Sequence, residues 1–252
     1  MKERQAAIKE YLEEHGEASI GELAAEFSDW SEMTIRRDLE MLEKSRCLIR
    51  TKGGARVMPA GYGLSEDVYG EREHRNYAQK QEIALKAAQL VESDSGIFVD
   101  AGSTMMAFSR HLPDENIAVI TSAPNIGLEI VLKKQKPAVI LLGGTLSRKT
   151  ISVSGINVLE QLRNLNIDTA FMSTSGYTDD AGFSVGNQYE CELKRAIISR
   201  ARRVVMLFDS SKIGTMMPFT FAHPKDINIL VSDSLLPKEV RAVFRDAKVK
   251  II

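Results

Sequence analysis

The sequence of 252 residues contains few cysteines and no long apolar run, and each shortage excludes a class of protein. Its two cysteines, Cys47 and Cys191, lie far apart and match no metal-ligand spacing, which favours a reducing compartment over a disulfide-bonded extracellular domain. Apolar stretches such as Ala138–Leu142 are far too short to cross a bilayer. The charged start, MKERQAAIKE, lacks the apolar core of a signal peptide. We therefore expect a cytoplasmic protein.

The motifs of several enzyme classes are also missing. The four histidines show no metal-ligand spacing, no Walker loop or GxGxxG sequence follows a strand pattern, and there is no GxSxG nucleophile elbow. We therefore expect no metal and no cofactor. With 44% hydrophobic and 27% charged residues, the sequence is typical of a globular protein, built either as one large α/β domain or as two unequal domains.

Charge is distributed unevenly in the N-terminal region, although the net charge of the chain is only −1. Residues 1–29 carry 3 basic and 8 acidic groups, for a net charge of −5, whereas residues 30–58 carry 7 basic and 4 acidic groups, for +3. Such polarity is expected if only one face of this region meets phosphate groups. Random scatter of charge over a solvated surface is the alternative.

The first 58 residues have the pattern of three helices followed by a hairpin. Apolar residues recur at helical spacing in three segments, and Ser19 and Ser31 are candidate N-caps of the second and third. The run LIRTKGGARVM then alternates around its Gly-Gly pair, which a hairpin turn can use. Three short helices and a two-stranded wing make a winged helix-turn-helix. We predict such a domain for residues 1–58.

The remainder of the chain divides into a linker and a larger α/β domain. Residues 59–75 lose the apolar periodicity and mix proline and glycine with charges, which indicates a linker. In residues 76–252, helical patterns alternate with short strands that are apolar throughout, which indicates a mainly parallel sheet covered on both faces. The predicted strands are Ile97–Val99, Ile117–Ile120, Ala138–Leu142, Ala170–Met172, Val204–Phe208, Ile227–Val231 and Val249–Ile252.

The third predicted helix, within SEMTIRRDLEMLEKS, has two chemically different faces. Its inward face is apolar, and its outward face carries Met33, Arg36 and Arg37. A recognition helix enters the major groove with its N-terminal residues near the base edges, and Thr34 and the paired arginines occupy that part. Ser31, the candidate cap, belongs to the same predicted DNA-binding set. Arginine binds guanine or phosphate, and threonine offers a hydroxyl and a methyl group. We therefore predict that this helix reads DNA.

The predicted hairpin supplies three further cations, Arg50, Lys52 and Arg56, for the DNA backbone or the minor groove. Gly53 lets the tip of the wing approach DNA closely. The alternative is that arginines of this region pair with carboxylates on a solvated helix surface. The position of the arginine pair in the third helix of a helix–helix–helix–wing pattern favours DNA binding. The carboxylates concerned are Asp38, Glu40 and Glu43.

The run SEMTIRRDLEMLEKSRCLIRTKGGA resembles the signature of the DeoR family of bacterial sugar-metabolism regulators. Members of that family carry a Ser-x-x-Thr-Ile-Arg-Arg-Asp-Leu recognition helix followed by an Arg-x-His-Gly-Gly-Ala wing. Two positions depart from this pattern: Lys52 replaces the usual histidine, and Trp30 precedes the cap where a smaller residue is usual. The resemblance covers nearly the whole chain. It implies a transcriptional regulator, with repression relieved by a ligand as the expected direction of control.

Small polar residues, glycines and a lysine follow five of the predicted strands. In an open α/β sheet, ligands bind beyond the carboxyl ends of the strands, so these residues outline one rim. A Gly-Ser-Thr sequence there opens a helix whose N–H groups and dipole suit a phosphate, although such a sequence is usually only an N-cap. A lysine neutralises an anion, although a lone lysine is usually solvated. The candidate effector-binding residues are Asp100, Gly102, Ser103, Thr104, Thr121, Ser122, Gly143, Gly144, Ser175 and Lys212.

The same stretches resemble the effector domain of the DeoR family, which is itself similar to ribose-5-phosphate isomerase. They are DAGST, the GG of LLGGTLS, residues 168–176 and FDSSKIG. The resemblance implies a sugar-phosphate ligand whose phosphate lies on the Gly-Ser-Thr sequence, with Lys212 nearby. The family often has Thr-Asn where this chain has Thr121-Ser122, and this difference alters the expected contacts to the sugar.

The catalytic half of the isomerase site is missing by the same comparison. Residues 172–175 replace an Asp-Gly-Ala-Asp segment without a carboxylate, and Lys194 falls where the isomerase has its basic glutamate. Glu190, Glu192 and Asp180 remain nearby, so a displaced base stays an alternative.

We therefore expect a sensor rather than an enzyme. Its partners are double-stranded operator DNA, a phosphorylated sugar and further copies of itself, as a dimer or tetramer, with no membrane partner. Two other functions stay open. One is a sugar-phosphate isomerase or deaminase with an accessory DNA-binding domain. The other is an architectural DNA binder that has no effector.

Overall fold

The computed structural model describes residues 3–44, 48–51, 53–57 and 69–252. The chain forms two compact units, Met1–Tyr62 and Gly63–Ile252. The division between them falls inside the predicted linker, residues 59–75.

The first unit is a winged helix-turn-helix whose wing belongs to a three-stranded antiparallel sheet. The elements are α1 (Glu3–His15), β1 (Glu17–Ser19), α2 (Ile20–Glu26), α3 (Glu32–Lys44), β2 (Leu48–Arg50) and β3 (Gly54–Val57), with the strands in the order β1-β3-β2. The sequence predicted only two strands, because the three residues of β1 are too few to show alternation. The buried apolar side chains of this unit form one core: Ile8, Leu12, Ala18, Ile20, Leu23, Ile35, Leu39, Leu42, Leu48 and Ala55.

Serine side chains cap the second and third helices, as predicted. Ser19 Oγ accepts a hydrogen bond from the Glu22 N–H at 3.1 Å, and the Glu22 carboxylate accepts one from the Ser19 N–H at 2.7 Å. This reciprocal pair is a capping box, and its backbone hydrogen bond lowers the pKa of the Glu22 carboxyl. Ser31 Oγ accepts a hydrogen bond from the Thr34 N–H at 3.3 Å at the start of α3.

The second unit contains twelve strands and seven helices among the described residues. The strands are β4 (Gly96–Val99), β5 (Ala118–Thr121), β6 (Ala138–Leu141), β7 (Thr145–Ser147), β8 (Ser152–Ser154), β9 (Ile167–Ser173), β10 (Gly176–Thr178), β11 (Gly182–Val185), β12 (Ala201–Leu207), β13 (Phe219–Ala222), β14 (Ile229–Val231) and β15 (Lys250–Ile251). The helices are α4 (Tyr69–His74), α5 (Tyr77–Ala88), α6 (Ser103–His111), α7 (Pro124–Lys133), α8 (Ile156–Leu162), α9 (Gln188–Arg200) and α10 (Lys238–Asp246).

Seven of these strands form one parallel sheet in the order β15-β14-β12-β9-β4-β5-β6. Each of the seven strands predicted from apolar runs is present, which confirms the mainly parallel α/β fold. Ile97 and Val99 of β4 point into one hydrophobic cluster and Phe98 into a second cluster on the other face. Both faces of the sheet are therefore covered. None of the helices in the described ranges is long and apolar enough to span a membrane.

Two smaller antiparallel sheets lie outside the parallel sheet, and the sequence predicted neither. One is the hairpin of β7 and β8, and the other joins β10, β11 and β13. All five of these strands have only three or four residues, and serine, threonine and glycine interrupt their apolar pattern. The hairpin lies near the ends of the parallel strands, because the Val153 N–H of β8 donates to the Ser122 carbonyl just after β5 at 2.7 Å.

The C-terminal part of the predicted linker is helical. Residues 69–74 form α4, and the Tyr69 side chain is only 6% exposed within one of the two hydrophobic clusters of the second unit. The sequence predicted irregular structure here, because one six-residue helix is too short to show apolar periodicity. This segment packs as part of the second unit.

Candidate functional site

The exposed face of α3 carries the predicted DNA-reading side chains. Ile35 is fully buried, Met33 is 76% exposed, and Arg36 and Arg37 are exposed. The two chemically different faces predicted for this helix are therefore confirmed. The Arg36 guanidinium lies 3.7 Å from the Glu32 carboxylate in a solvent-exposed pair, which a DNA phosphate can replace at little cost.

The hydroxyl groups at the start of α3 bond to each other. Ser31 Oγ and Thr34 Oγ1 are 2.9 Å apart, and Thr34 is half-buried. Ser31 and Thr34, which were predicted to contact DNA, therefore also take part in capping α3.

Asp38 anchors α3 to α1, a role that the sequence did not reveal. Its side chain is 3% exposed and accepts hydrogen bonds from Arg4 Nε at 2.5 Å and from Gln5 Nε2 at 3.0 Å. The hydrogen bond to Asp38 raises the pKa of the Arg4 guanidinium. Because Asp38 is buried among these donors, it does not compete with DNA for the exposed arginines of the same helix.

The predicted cations of the wing lie in different environments. Arg50 Nη1 is 2.9 Å from the Glu40 carboxylate, and the Arg50 N–H donates to Glu43 at 3.1 Å, so Arg50 ties β2 to α3. Arg50 therefore pairs with carboxylates of α3, as the alternative to DNA binding predicted. Arg56 is exposed. Its neighbour Ala55 pairs with Arg50 across the hairpin, so Arg56 points to the opposite face of the wing from Arg50. Lys52 lies outside the described residues.

The two glycines of the wing differ in their surroundings. Gly53 is exposed, and a Cβ atom added there meets nothing within 4 Å. A Cβ atom on Gly54 would lie 2.1 Å from the Ala18 carbonyl oxygen, where β1 pairs closely with β3. Gly54 is therefore required for strand pairing within the unit, while Gly53 stays open to a partner.

The strand order of the second unit creates one topological switch point. From β4 the chain adds β5 and β6 on one side, whereas β9, β12, β14 and β15 follow on the other side. The crevice of such a sheet opens at the carboxyl ends of the two central strands, β4 and β9. Asp100–Thr104 follow β4, and Thr174–Ser175 follow β9. The structure thus places these candidate effector residues at the expected position.

Asp100 holds the two central strand ends together. It is 2% exposed, and its Oδ2 accepts hydrogen bonds from the Ser173 N–H at 2.9 Å, from Ser173 Oγ at 3.1 Å and from Lys194 Nζ. Gly102, the N-cap of α6, has φ of +124°, a conformation that favours glycine, and Ser103 and Thr104 begin the first turn of the helix. Because Gly102 has no side chain to cap α6, an anion can approach these N–H groups.

Four predicted residues at or just after the ends of β5 and β6 take part in protein contacts. Thr121 is fully buried, and its Oγ1 accepts a hydrogen bond from the Ala123 N–H at 3.1 Å. Ser122 is 1% exposed and bonds β8 through its carbonyl. The Gly143 N–H donates to Gln161 Oε1 at 3.0 Å, and a Cβ atom on Gly144 would lie 2.7 Å from the Ser154 carbonyl oxygen. In this structure these residues shape the loops at the rim.

Several cations surround the end of β12, where Lys212 lies in a short 3₁₀ helix, Ser210–Lys212. Lys80 of α5 is 4% exposed and donates to the Arg72 and Arg75 carbonyls at 2.5 and 2.6 Å. Burial lowers the pKa of Lys80 to about 8; nearby Lys212 and both arginines also lower it, whereas Asp209 raises it. The sequence predicted only Lys212 here, because α4 and α5 are far from β12 in the sequence.

A pocket of about 130 Å³ lies between the β7–β8 hairpin and the N-terminal turn of α9. It contains Glu190, whose Oε1 is 3.5 Å from Lys194 Nζ. Lys194 is 1% exposed and also donates to the Ser173 carbonyl at 3.0 Å. Of the other two carboxylates considered as displaced bases, Asp180 is exposed between β10 and β11, and Glu192 accepts from Gln188 Nε2 at 3.1 Å. The pocket is lined by Ser147, Lys149, Thr150, Ser152, Ser154, Gly186, Asn187 and Glu190.

The part of the chain that the structure describes contains no group of three or more histidine, cysteine, aspartate or glutamate side chains that could hold a metal ion. Cys191 of α9 is buried as a free thiol, and burial raises its pKa.

Comparison with known proteins relates both units to one family. The profile of the DeoR-like helix-turn-helix domain matches residues 4–59, and the profile of the DeoR C terminal sensor domain matches residues 75–234. The chain is 35% identical over 250 residues to the HTH-type transcriptional regulator YulB of Bacillus subtilis (strain 168), a match that covers 99% of this chain and 95% of YulB.

Two further similarities are more distant. The chain is 29% identical over 233 residues to the HTH-type transcriptional repressor GlcR of Bacillus subtilis (strain 168), covering 92% of this chain and 88% of GlcR. Among solved structures, ribose 5-phosphate isomerase A from Methanocaldococcus jannaschii superimposes with a TM-score of 0.41 at 17% identity, covering 55% of each chain.

Proposed function

The chain belongs to the DeoR family of transcriptional regulators, and on this premise we propose that it represses a carbohydrate-metabolism operon until a phosphorylated sugar binds its second unit. A role at operator DNA supports a cytoplasmic location, which we propose for this protein. The repressor GlcR among its relatives supports the direction of control.

The first unit binds operator DNA through α3 and the wing. The exposed Arg36 and Arg37, with Thr34 at the start of the helix, meet the major groove. Arg56 and the open Gly53 lie on the wing, which approaches the DNA backbone or the minor groove. Arg50 keeps the wing in place against α3 through Glu40 and Glu43. Ser31, Met33 and Lys52 complete the predicted surface.

The observation that carries the effector proposal is the first turn of α6 at the topological switch point. Gly102, Ser103 and Thr104 present N–H groups and hydroxyls, which suit a phosphate group. In the parallel sheet β9 alone separates β4 from β12, so the ends of these two strands lie about 10 Å apart, and Lys212 follows the end of β12. The buried ammonium of Lys80 adds positive charge near Lys212.

We propose that this binding has no catalytic consequence. The isomerase reaction needs a carboxylate base, and the aligned position holds Lys194, whose ammonium bonds to Asp100. Turnover of pentose, hexose or hexosamine phosphates by the purified protein would contradict this and favour an isomerase or deaminase.

The test is a thermal-shift screen of sugar monophosphates, whose positives are carried into a binding assay with the DNA upstream of the chain's own operon. We expect at least one sugar phosphate to raise the melting temperature and to weaken DNA binding. Ser103→Ala and Lys212→Ala should lose the ligand response but keep ligand-free DNA binding, whereas the exposed Lys225→Ala control should behave like the parent. Tighter DNA binding with ligand would indicate an activator. No response to any sugar phosphate would favour an architectural DNA binder.

We also propose that the regulator acts as a homo-oligomer, because palindromic or repeated half-sites need one recognition helix each. A second copy of the chain is the partner that we assign to the open edge of the parallel sheet. There β6 exposes Ile140 and Leu141, and the neighbouring α7 exposes Leu128 and Leu132. Antiparallel pairing of β6 with its symmetry mate would continue the sheet and cover these side chains.

Sedimentation velocity tests this assignment. Leu132→Asp should shift the protein toward the monomer, whereas Leu235→Asp, at another exposed leucine of the same unit, should not. A parent that stays monomeric at micromolar concentration, or two variants that associate equally well, would contradict it.

A further inference from the structure

The β7–β8 hairpin forms one wall of the pocket in the second unit, and the N-terminal turn of α9 forms the other. The hairpin contributes five residues, Ser147, Lys149, Thr150, Ser152 and Ser154. None of them was predicted from the sequence as part of the effector site, because the hairpin itself was not predicted.

The chemistry of this lining suits the hydroxyl groups of a sugar or polyol. No aromatic or large aliphatic side chain is among the residues that line the pocket. Four hydroxyls and the Asn187 amide both donate and accept hydrogen bonds, the Lys149 ammonium donates, and the Glu190 carboxylate accepts. Each hydroxyl of a polyol needs one acceptor and one donor, and charged partners form the stronger bonds.

A chain of polar contacts links the pocket to the first turn of α6. Glu190 is 3.5 Å from Lys194, Lys194 bonds to Asp100, and Asp100 lies two residues before Gly102. On the other side, β8 bonds to Ser122 at the end of β5. The pocket and the proposed phosphate position are therefore neighbouring parts of one rim.

The hairpin is also bonded to the first helix of the unit. The Lys149 carbonyl accepts a hydrogen bond from the Tyr69 N–H at 3.0 Å, and Tyr69 is the first residue of α4. The chain that precedes Tyr69 connects to the DNA-binding unit. A ligand that contacts the Lys149 side chain therefore acts on the residue whose carbonyl holds the start of α4.

We propose that this pocket is a second subsite, which takes the hydroxylated, non-phosphate end of the effector, and that the hairpin couples its occupancy to α4. The proposal rests on the function proposed above and adds the element that distinguishes one sugar phosphate from another. A polyol carbon chain in the pocket bonds to Glu190 and Lys149, while its phosphate lies on α6.

The test compares sugar monophosphates with inorganic phosphate, measured by thermal shift and by competition on the full chain. Glu190→Gln, Lys149→Ala and Thr150→Val should each weaken binding of the preferred sugar phosphate about tenfold, since each removes one polar contact. Binding of inorganic phosphate should change less than about twofold. The matched control is Arg148→Ala, which removes an adjacent positive charge of the same hairpin that does not line the pocket.

Equal losses of affinity for the sugar phosphate and for inorganic phosphate would overturn the subsite. So would unchanged affinity for the sugar phosphate in all three variants. In either case sugar-phosphate binding by the parent would leave the proposed function standing. If no phosphorylated ligand binds the parent, the proposed function and this subsite fail together.

Hydrogen exchange tests the coupling to α4. The preferred sugar phosphate should slow exchange in a peptide covering residues 69–74, and inorganic phosphate should not, because only the sugar reaches the hairpin. Lys149→Ala should remove this protection even at saturating sugar phosphate. Protection that is the same with both ligands would show that α4 responds to the phosphate alone, and would overturn the coupling.

Discussion

At the scale of single residues, α3 places exposed arginines next to a buried anchoring carboxylate within one short run. Arg36 and Arg37 are exposed, and the next residue, Asp38, is buried against Arg4 and Gln5. The helical period explains this division, since adjacent side chains are about 100° apart around the axis. The sequence could predict the exposed arginines from that period. It could not predict the partners of Asp38, because they lie more than thirty residues away.

Loss of either exposed arginine should weaken operator binding. Arg36→Ala and Arg37→Ala should each cost about 1–3 kcal/mol of binding free energy, the range of a good base contact. Fluorescence anisotropy with operator DNA measures it. Arg202→Ala, which removes an exposed arginine of the second unit, is the control and should bind like the parent. If all three variants bind alike, the assignment of α3 as the recognition helix is wrong.

Lys80 gives the second unit a pH-dependent stability. Its pKa is about 8 in the folded protein, against an ordinary value of 10.5. Between these pH values the unfolded chain binds more protons than the folded chain, so this group makes the free energy of unfolding rise with pH. Below pH 8 Lys80 is protonated in both the folded and the unfolded chain. Burial of its charge then lowers the free energy of unfolding by the full amount.

Comparison with Lys80→Met isolates this contribution. The difference in unfolding free energy between the parent and the variant should change by about 3 kcal/mol in favour of the parent between pH 8 and pH 10.5. Urea denaturation at several pH values measures it. A difference that stays constant over this range would show that Lys80 titrates normally.

The residues of the effector rim show the limit of sequence reasoning at this scale. The small polar residues predicted after the strands lie at or beyond the carboxyl ends of parallel strands, which meet at one edge of the sheet. Their contacts were not predictable: Asp100 pairs with Lys194, 94 residues later, and Thr121 bonds to the backbone of its own loop. Only the folded chain shows which polar groups are already engaged.

At the scale of elements, the success of strand prediction depended on burial. The five inner strands of the parallel sheet, β4, β5, β9, β12 and β14, are covered on both faces, so each appears as a continuous apolar run. The edge strand β6 is also an apolar run, although Ile140 and Leu141 are exposed. The strands β1, β7, β8 and β10 have only three residues each, and no apolar run marks them. The pocket was missed for this reason, since its walls are the β7–β8 hairpin and one turn of α9.

The close pairing of β1 and β3 predicts different effects for the two glycines of the wing. Gly54→Ala should destabilise the first unit by about 1–3 kcal/mol, because its Cβ atom would overlap the Ala18 carbonyl. Gly53→Ala is the matched control and should cost far less, because nothing lies within 4 Å. Thermal unfolding followed by the fluorescence of Trp30, the single tryptophan, reports on this unit. Equal destabilisation by the two substitutions would contradict the pairing.

At the scale of the whole molecule, the two units have separate cores. Among the residues that the structure describes, the core of the first unit contains residues between Ile8 and Ala55, and both clusters of the second unit contain residues from Tyr69 onward. Two cores that share no side chain can unfold independently.

This separation predicts two distinct thermal transitions in the free protein. Trp30 fluorescence should follow the first unit, and far-UV circular dichroism should be dominated by the larger second unit. An effector present at 100 times its Kd stabilises the unit that binds it by about 2.7 kcal/mol, and it should therefore raise only the second transition. Operator DNA should raise the transition of Trp30.

The complex with DNA should behave differently from the free protein. If the effector lowers operator affinity, linkage requires that it also lower the Trp30 transition of the DNA-bound protein, although it does not bind that unit. Ser103→Ala should remove this decrease while leaving the stabilisation by DNA intact. A single transition that both ligands raise in the free protein would show that the units unfold together, and would place the coupling in direct contact between them.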